Sequence, residues 1–257
     1  MSFRFLHRIL LLPLLAACMA GTAAAEPVPA LTNAQALVVV TTPDWNSTQG
    51  RLQTFRRVAG RWQAVAPAFA VALGRQGSAW GEGLHPAQSQ GPQKREGDGR
   101  SPAGVFAIGT AFGAAPRIDS AMPYQAMTAE HYCMDVPSSP LYNRIVDARN
   151  VGQSAVAGST EPMRLDLKTP GDLRYREGFV IAHNPHALPE RGSCIFAHLW
   201  QTPGQVTAGC TAMAAADMRR LLAWLRPEQA PLFVLLPQAE YARLQAQWQL
   251  PALERDR

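Results

Sequence analysis

Residues Ser193–Met213 read S-C-I-F-A-H-L-W-Q-T-P-G-Q-V-T-A-G-C-T-A-M. A short apolar run carries His198, Pro203 and Gly204 mark a turn, and Ala208 and Gly209 form a tight bend that delivers Cys210 just ahead of a helix. A thiol at a helix start meets amide N–H groups whose partial positive charge favours thiolate, and the same groups can hold an oxyanion. With His198 twelve positions before Cys210, the stretch offers nucleophile, base and electrophilic stabiliser in one folded unit. A cysteine near a histidine is more often packing than chemistry. Gly209 tips the reading, because a glycine directly before the thiol permits positive φ and leaves room for a substrate.

Downstream of the bend, Ala214, Met218, Leu221, Leu222 and Leu225 recur at helical spacing, and Pro227 ends the helix. Its apolar stripe clamps it to a sheet, which in turn aims the thiol. Ala230 to Leu236 reads as a closing strand, and residues 237–257 as a C-terminal helix, Gln238 to Trp248, and a polar tail. Upstream, Ala36 to Thr41 is a β-branched run, and Arg51 to Val58 and Arg61 to Phe69 flank Ala59-Gly60 as a meander. Residues 105–109 and Gly178 to Asn184 are further strands. His183, near the end of the latter, is a second candidate base ranked below His198. The chain is therefore expected to be mainly β with a few helices, with Trp45 and Trp62 as core or edge aromatics.

Two loop regions separate these segments. Gly74 to Gly104 is dense in Gly, Pro, Ser, Gln and charge, the composition of a long ordered loop. Its Trp80, His85, Lys94 and Arg95 suggest the wall of a binding cleft, against the alternative of a solvated surface loop. His85 has no second metal ligand at suitable spacing, so no metal site is expected. Residues 111–175 are mostly irregular; Asn143 and Arg144 are candidates to face a cleft, and Gly152 to Thr160 is a candidate mobile flap.

The first 25 residues have the make-up of a secretory leader: basic Arg4, His7 and Arg8, an apolar Ile9 to Ala17, and Ala23-Ala24-Ala25 before Glu26. The apolar run is too short to span a bilayer. Leu15-Ala16-Ala17-Cys18 also resembles a lipobox, which would place a lipid on Cys18 and tie the protein to a membrane; the apolar stretch continuing through Met19 and Ala20 puts the soluble form slightly ahead. Either route leads out of the cytoplasm. The formal charge of +5 falls to +3 without Arg4 and Arg8 and is spread along the chain, which excludes a nucleic-acid footprint. Cys133, Cys194 and Cys210 remain after leader removal, an odd count that suggests one bridge and one free thiol, with three pairings open. If Cys210 is the working thiol, the bridge joins Cys133 to Cys194.

Ser101-Pro102-Ala103-Gly104-Val105-Phe106, the strand with His198, and Thr207-Ala208-Gly209-Cys210-Thr211-Ala212-Met213 together resemble the L,D-transpeptidase catalytic domain, also called YkuD-like, in a divergent branch. The likeness spans residues 37–236 and is specific chiefly in the His-to-Cys block. It implies a β-sandwich with the catalytic Cys in a loop before a helix, exported to the periplasm or envelope of a bacterium, acting without metal or organic cofactor on peptidoglycan stem peptides. Carried over, Cys210 is the nucleophile, His198 its base, and the amides at Gly209 and Cys210 hold the oxyanion. Thr207 stands at the family's Ser or Thr position, while Ala208 and Ala212 replace its His and its Arg or Asn. Lys94, Arg95, Trp80 or Arg144 would then supply substrate contacts. A different thiol peptidase or carboxypeptidase on envelope peptides, and a wall-binding module without chemistry, are the other classes compatible with these residues.

Overall fold

The computed structural model describes residues 27–253. The leader expected over residues 1–25, Cys18 included, lies outside the described residues. A short helix, α1 (Pro29–Asn33), buries Leu31 and leads into β1 (Ala36–Thr42), in which every residue is buried. An unbroken run of Leu37 and three valines, rather than an alternating one, is what a strand covered on both faces requires. β2 (Gln49–Val58) returns antiparallel to β1 and turns into β3 (Arg61–Ala64) through Ala59 and Gly60, both with positive φ, the two-residue turn that matches strand twist. β4 (Phe69–Ala72) pairs back on β2.

The Gly74 to Gly104 region is less irregular than its composition suggests. It holds β5 (Ser78–Trp80), and its last residues already belong to β6 (Ser101–Gly113), a 13-residue strand that begins well before the expected 105–109. Gly and Ser hide that start from a sequence reading because they carry little β signal, yet Gly104, at φ +134°, lets the His85 ring pack where a Cβ would sit. The rest is tied down by its own polar groups: Arg100 donates to the Trp45 and Ser78 carbonyls, and Glu96 accepts from the hydroxyls of Tyr142 and Ser193.

After β7 (Tyr124–Ala126) comes a separate small sheet built from β8 (His131–Cys133), β9 (Ile145–Asp147) and, beyond α2 (Ala148–Val151), the two-residue β10 (Glu161–Pro162). The expected flap over Gly152 to Thr160 is anchored here: Gln153–Val156 is a 3-10 turn, Ser159 Oγ donates to Cys133 O at 2.8 Å, and the Thr160 amide donates to Asp135 at 2.9 Å. Cys133 is disulfide-bonded to Cys194 across 61 positions, stapling the small sheet to the main one.

Following α3 (Leu165–Lys168), the main sheet is completed by β11 (Glu177–Ile181), β12 (Phe196–Leu199), β13 (Thr211–Met213) and β14 (Leu232–Pro237). Its order is β1-β14-β6-β11-β12-β13-β4-β2, and β2 pairs again with β1, so the strands form a closed circuit. The result is mainly β and sandwich-like, around a core that includes Val38, Val40, Phe106, Phe179, Phe233 and Leu235. α4 (Ala215–Trp224) packs Met218, Leu221 and Leu222 on this sheet, against β11 and β12. The segment expected as terminal helix and tail joins the same core: α5 (Gln238–Leu244) lies on β14 and β1, and Trp248 is 1% exposed. No helix among the described residues is long and apolar enough to cross a membrane.

Candidate active site

Register places the histidine and the thiol on one face. β12 and β13 are parallel neighbours with Ala197 level with Thr211 and His198 level with Ala212. Side chains alternate faces along a strand, so Ala197, Leu199 and Met213 point into the main core while His198, Ala212 and, one step before the strand, Cys210 lie on the opposite face. That face opens on a cavity of about 250 Å³ lined by Cys210, His198, Tyr175, Glu161, Arg174 and Lys94, among others.

The bend that carries Cys210 is held by hydroxyl groups. The Cys210 carbonyl accepts from Thr207 Oγ1 at 2.7 Å and from the buried Ser101 Oγ at 3.1 Å, and the Gly209 amide donates to the same Thr207 oxygen at 3.1 Å. Thr207 therefore serves the bend from its place at the cavity wall. Gly209 is not in the left-handed region; a Cβ there would lie 3.0 Å from the Arg100 carbonyl, so glycine answers a close approach instead of a positive φ. The Gly209 N–H is already taken by Thr207, whereas the Cys210 N–H has no acceptor among the described residues.

Cys210 does not sit at a helix start. β13 intervenes, and α4 begins only at Ala215. The sulfur instead accepts from the Phe196 amide at 3.3 Å and its S–H points to the Cys194 carbonyl at 3.5 Å. Without a helix terminus to offset it, burial dominates: desolvation and, next, the Glu161 carboxylate push the thiol up to about 12, against a smaller opposing effect of the Phe196 amide. His198 is pulled the other way. Burial, assisted by Arg174, lowers it to about 4, while its hydrogen bond to the Leu199 carbonyl and the Asp172 charge resist. At rest near neutral pH the pair is thus a neutral thiol and a neutral imidazole. A carbonyl only accepts, so the 2.7 Å contact of His198 Nδ1 with Leu199 O fixes the proton on Nδ1 and leaves Nε2 with a lone pair able to accept a proton. The orienting partner is a backbone atom, invisible in any sequence.

Of the other predicted contacts, only Lys94 reaches the cavity, with its ammonium held by Asp98 at 2.5 Å and the Arg95 carbonyl at 2.6 Å. Arg95 is exposed outside it. Trp80 is a core residue, edge-on to Trp45 at 5.2 Å, with its indole N–H on the Gln90 carbonyl. Arg144 borders a different cavity, of about 330 Å³. Asn143 is a clamp: its amide donates to the His183 and Asn184 carbonyls and its oxygen accepts from the Cys194 N–H. His183 is bound to the Arg191 carbonyl, is lowered to about 4 by burial, and does not line the cavity of Cys210. Glu161, Arg174 and Tyr175 were not singled out in the sequence, because they lie in the aperiodic stretch and approach Cys210 only through the fold.

A sandwich-like β domain with a free thiol and an oriented imidazole on one face defines the structural class. The chain matches the family model of the L,D-transpeptidase catalytic domain, YkuD, over residues 44–234, and it belongs to that family. L,D-transpeptidase-type function on peptidoglycan is what membership supports in general. Searches among curated proteins and among solved structures found no match.

Proposed function

We propose that the protein is a cysteine acyltransferase of the bacterial cell envelope that works on peptidoglycan stem peptides through a thioester on Cys210. The observation that carries this reading is the shared face of β12 and β13, which turns both the only free thiol among the described residues and a histidine with an available Nε2 lone pair to one cavity. As Cys210 Sγ attacks the stem carbonyl between residues three and four, its proton passes to His198 Nε2. The carbonyl oxygen gains the charge and is received by the Cys210 N–H. Collapse to the thioester breaks the C–N bond, and His198 returns the proton to the departing D-alanine amine. An acceptor amine then attacks the thioester, His198 takes its proton, and the thiol is restored when that proton returns to sulfur. Because both groups are neutral at rest, proton transfer and attack belong to the same event, in contrast to a preformed thiolate.

The two alanines of the family block fit this arrangement. Ala212 is 1% exposed beside His198, where an arginine would be buried among strands, and Ala208 is an exposed residue of the cavity lining. The test is intact mass after incubation with a disaccharide tetrapeptide: the donor minus D-alanine should add to the protein and not to Cys210→Ala. Absence of the adduct and of free D-alanine, together with co-sedimentation with peptidoglycan, would instead identify a wall-binding module.

A further inference from the structure

The thiol has a neighbour the mechanism above leaves unused. Tyr175 stands just before β11, buried, with its ring edge-on to Phe112 at 5.8 Å, to Phe196 at 5.6 Å and to His198 at 5.2 Å. Three perpendicular contacts fix the ring; burial raises both the Cys210 thiol and the Glu161 carboxyl, and the Tyr175 hydroxyl lowers both. Glu161 reaches this point from β10 of the small sheet, and all four side chains line the one cavity.

We propose that Tyr175 and Glu161 belong to the acyl-transfer site, Tyr175 donating its hydroxyl to the Cys210 sulfur as the proton leaves it, and Glu161 acting as a positioning residue that holds this hydroxyl until then. The inference rests on the acyl-transfer reading. A phenol has one proton to donate, so at rest it goes to the charged carboxylate, the stronger acceptor beside a neutral thiol. When His198 removes the thiol proton, sulfur becomes the anion and the O–H turns to it, joining the Phe196 amide. No bond other than hydrogen bonds changes, and Tyr175 keeps its proton; burial and the Glu161 charge hold its pKa well above the ordinary value, so it acts only as a donor. Glu161 also opposes the thiolate by like charge, which keeps the nucleophile protonated until a substrate is in place.

The titratable groups that line the cavity with the thiol are Lys94 and Glu96 from the segment before β6, Asp135 after β8, Glu161 in β10, Arg174 and Tyr175 before β11, and His198 in β12. Two variants separate the roles by sign. Alkylation of Cys210 by iodoacetamide is followed from pH 6 to 10 in the intact protein, with Cys210→Ala as the blank. Tyr175→Phe, which keeps the ring contacts, should slow alkylation about tenfold at any one pH, the loss of a hydrogen bond to a charged group. Glu161→Gln should quicken it several-fold at pH 8 and move the profile to lower pH, because a charge is removed and an amide remains. Mere packing roles would leave both profiles in place, and two unchanged profiles, or a slower Glu161→Gln, overturn the proposal. No peptidoglycan is used, so a missing acyl adduct would count against the proposed function alone, whereas unmoved profiles with a normal adduct would count against Tyr175 and Glu161 alone.

Discussion

β1 and β14 on one side, and the small sheet with the Cys210 bend on the other, are built on opposite principles. In β1 and β14 every residue is buried, the central positions are aliphatic or aromatic, and parallel pairing runs from Leu37 against Leu232 to Thr42 against Pro237. Its stability comes from apolar area removed from water, about 25 cal/mol per Å². The site side is stitched by hydroxyls, carboxylates and one disulfide: Thr207 and Ser101 on the Cys210 carbonyl, Asp135 on Thr160, and Cys133 on Cys194. Apolar packing gives a scaffold that tolerates change in kind, whereas polar stitching positions atoms and fails when one partner is lost. The same burial that stabilises the first region costs the second, where it holds Cys210 and His198 in their neutral forms.

The largest expected effect falls on the proposed nucleophile. Cys210→Ala should lower transfer from a tetrapeptide donor by at least about 10³-fold with an unchanged melting temperature, measured by D-alanine release and by circular dichroism. His198→Ala should cost about 10²–10⁴-fold in the same assay, since in the proposed reaction Nε2 both takes and returns the proton. Retained activity there would move the base role elsewhere.

A pH series sharpens the electrostatic half. With the Cys210 thiol pushed up to about 12, alkylation by iodoacetamide should be slow at pH 7 and rise about tenfold per pH unit to pH 9 without a plateau. A plateau near neutrality would mean a stabilised thiolate. The sign for His198 is opposite: its base form is lost only as pH falls through about 4, so transfer should show no acid limb from this group above pH 5.

Smaller effects separate the two regions by stability. Replacing Cys133 and Cys194 together by alanine removes a link between positions 61 apart and should cost about 2–4 kcal/mol by denaturant titration, with loss of transfer exceeding loss of fold. Leu235→Ala, fully buried in β14, should cost about 2–5 kcal/mol and leave the alkylation profile of Cys210 in place. If instead it is Leu235→Ala that shifts the profile, the two regions are not independent.

Much of the scaffold was legible because it is periodic. The β-branched run became β1, the Ala59-Gly60 turn joined β2 to β3, and the helix with Met218, Leu221 and Leu222 on one face became α4. The long β6 was half hidden, since Ser101, Ala103 and Gly104 carry weak strand propensity and are placed by partners on β5 and β14. At the site, His198 and Cys210 stood out by residue type and spacing. Trp80 turns into the core and Arg144 to a different cavity from that of Cys210, because composition marks a loop as functional without saying which way its side chains turn.

Sequence alone determined which residues are able to supply the proposed chemistry: one cysteine after a glycine, one histidine twelve positions earlier, and two more cysteines available to bridge. Only the tertiary structure decided their state. The parallel register of β12 and β13 put His198 and Cys210 on one face, the strand between Cys210 and α4 removed the helix terminus from the thiol, and chain distant in sequence brought Glu161 and Tyr175 to the sulfur. The physical reason is that a proton's position depends on burial and on charges a few ångströms away, and those neighbours come from segments that no local pattern connects.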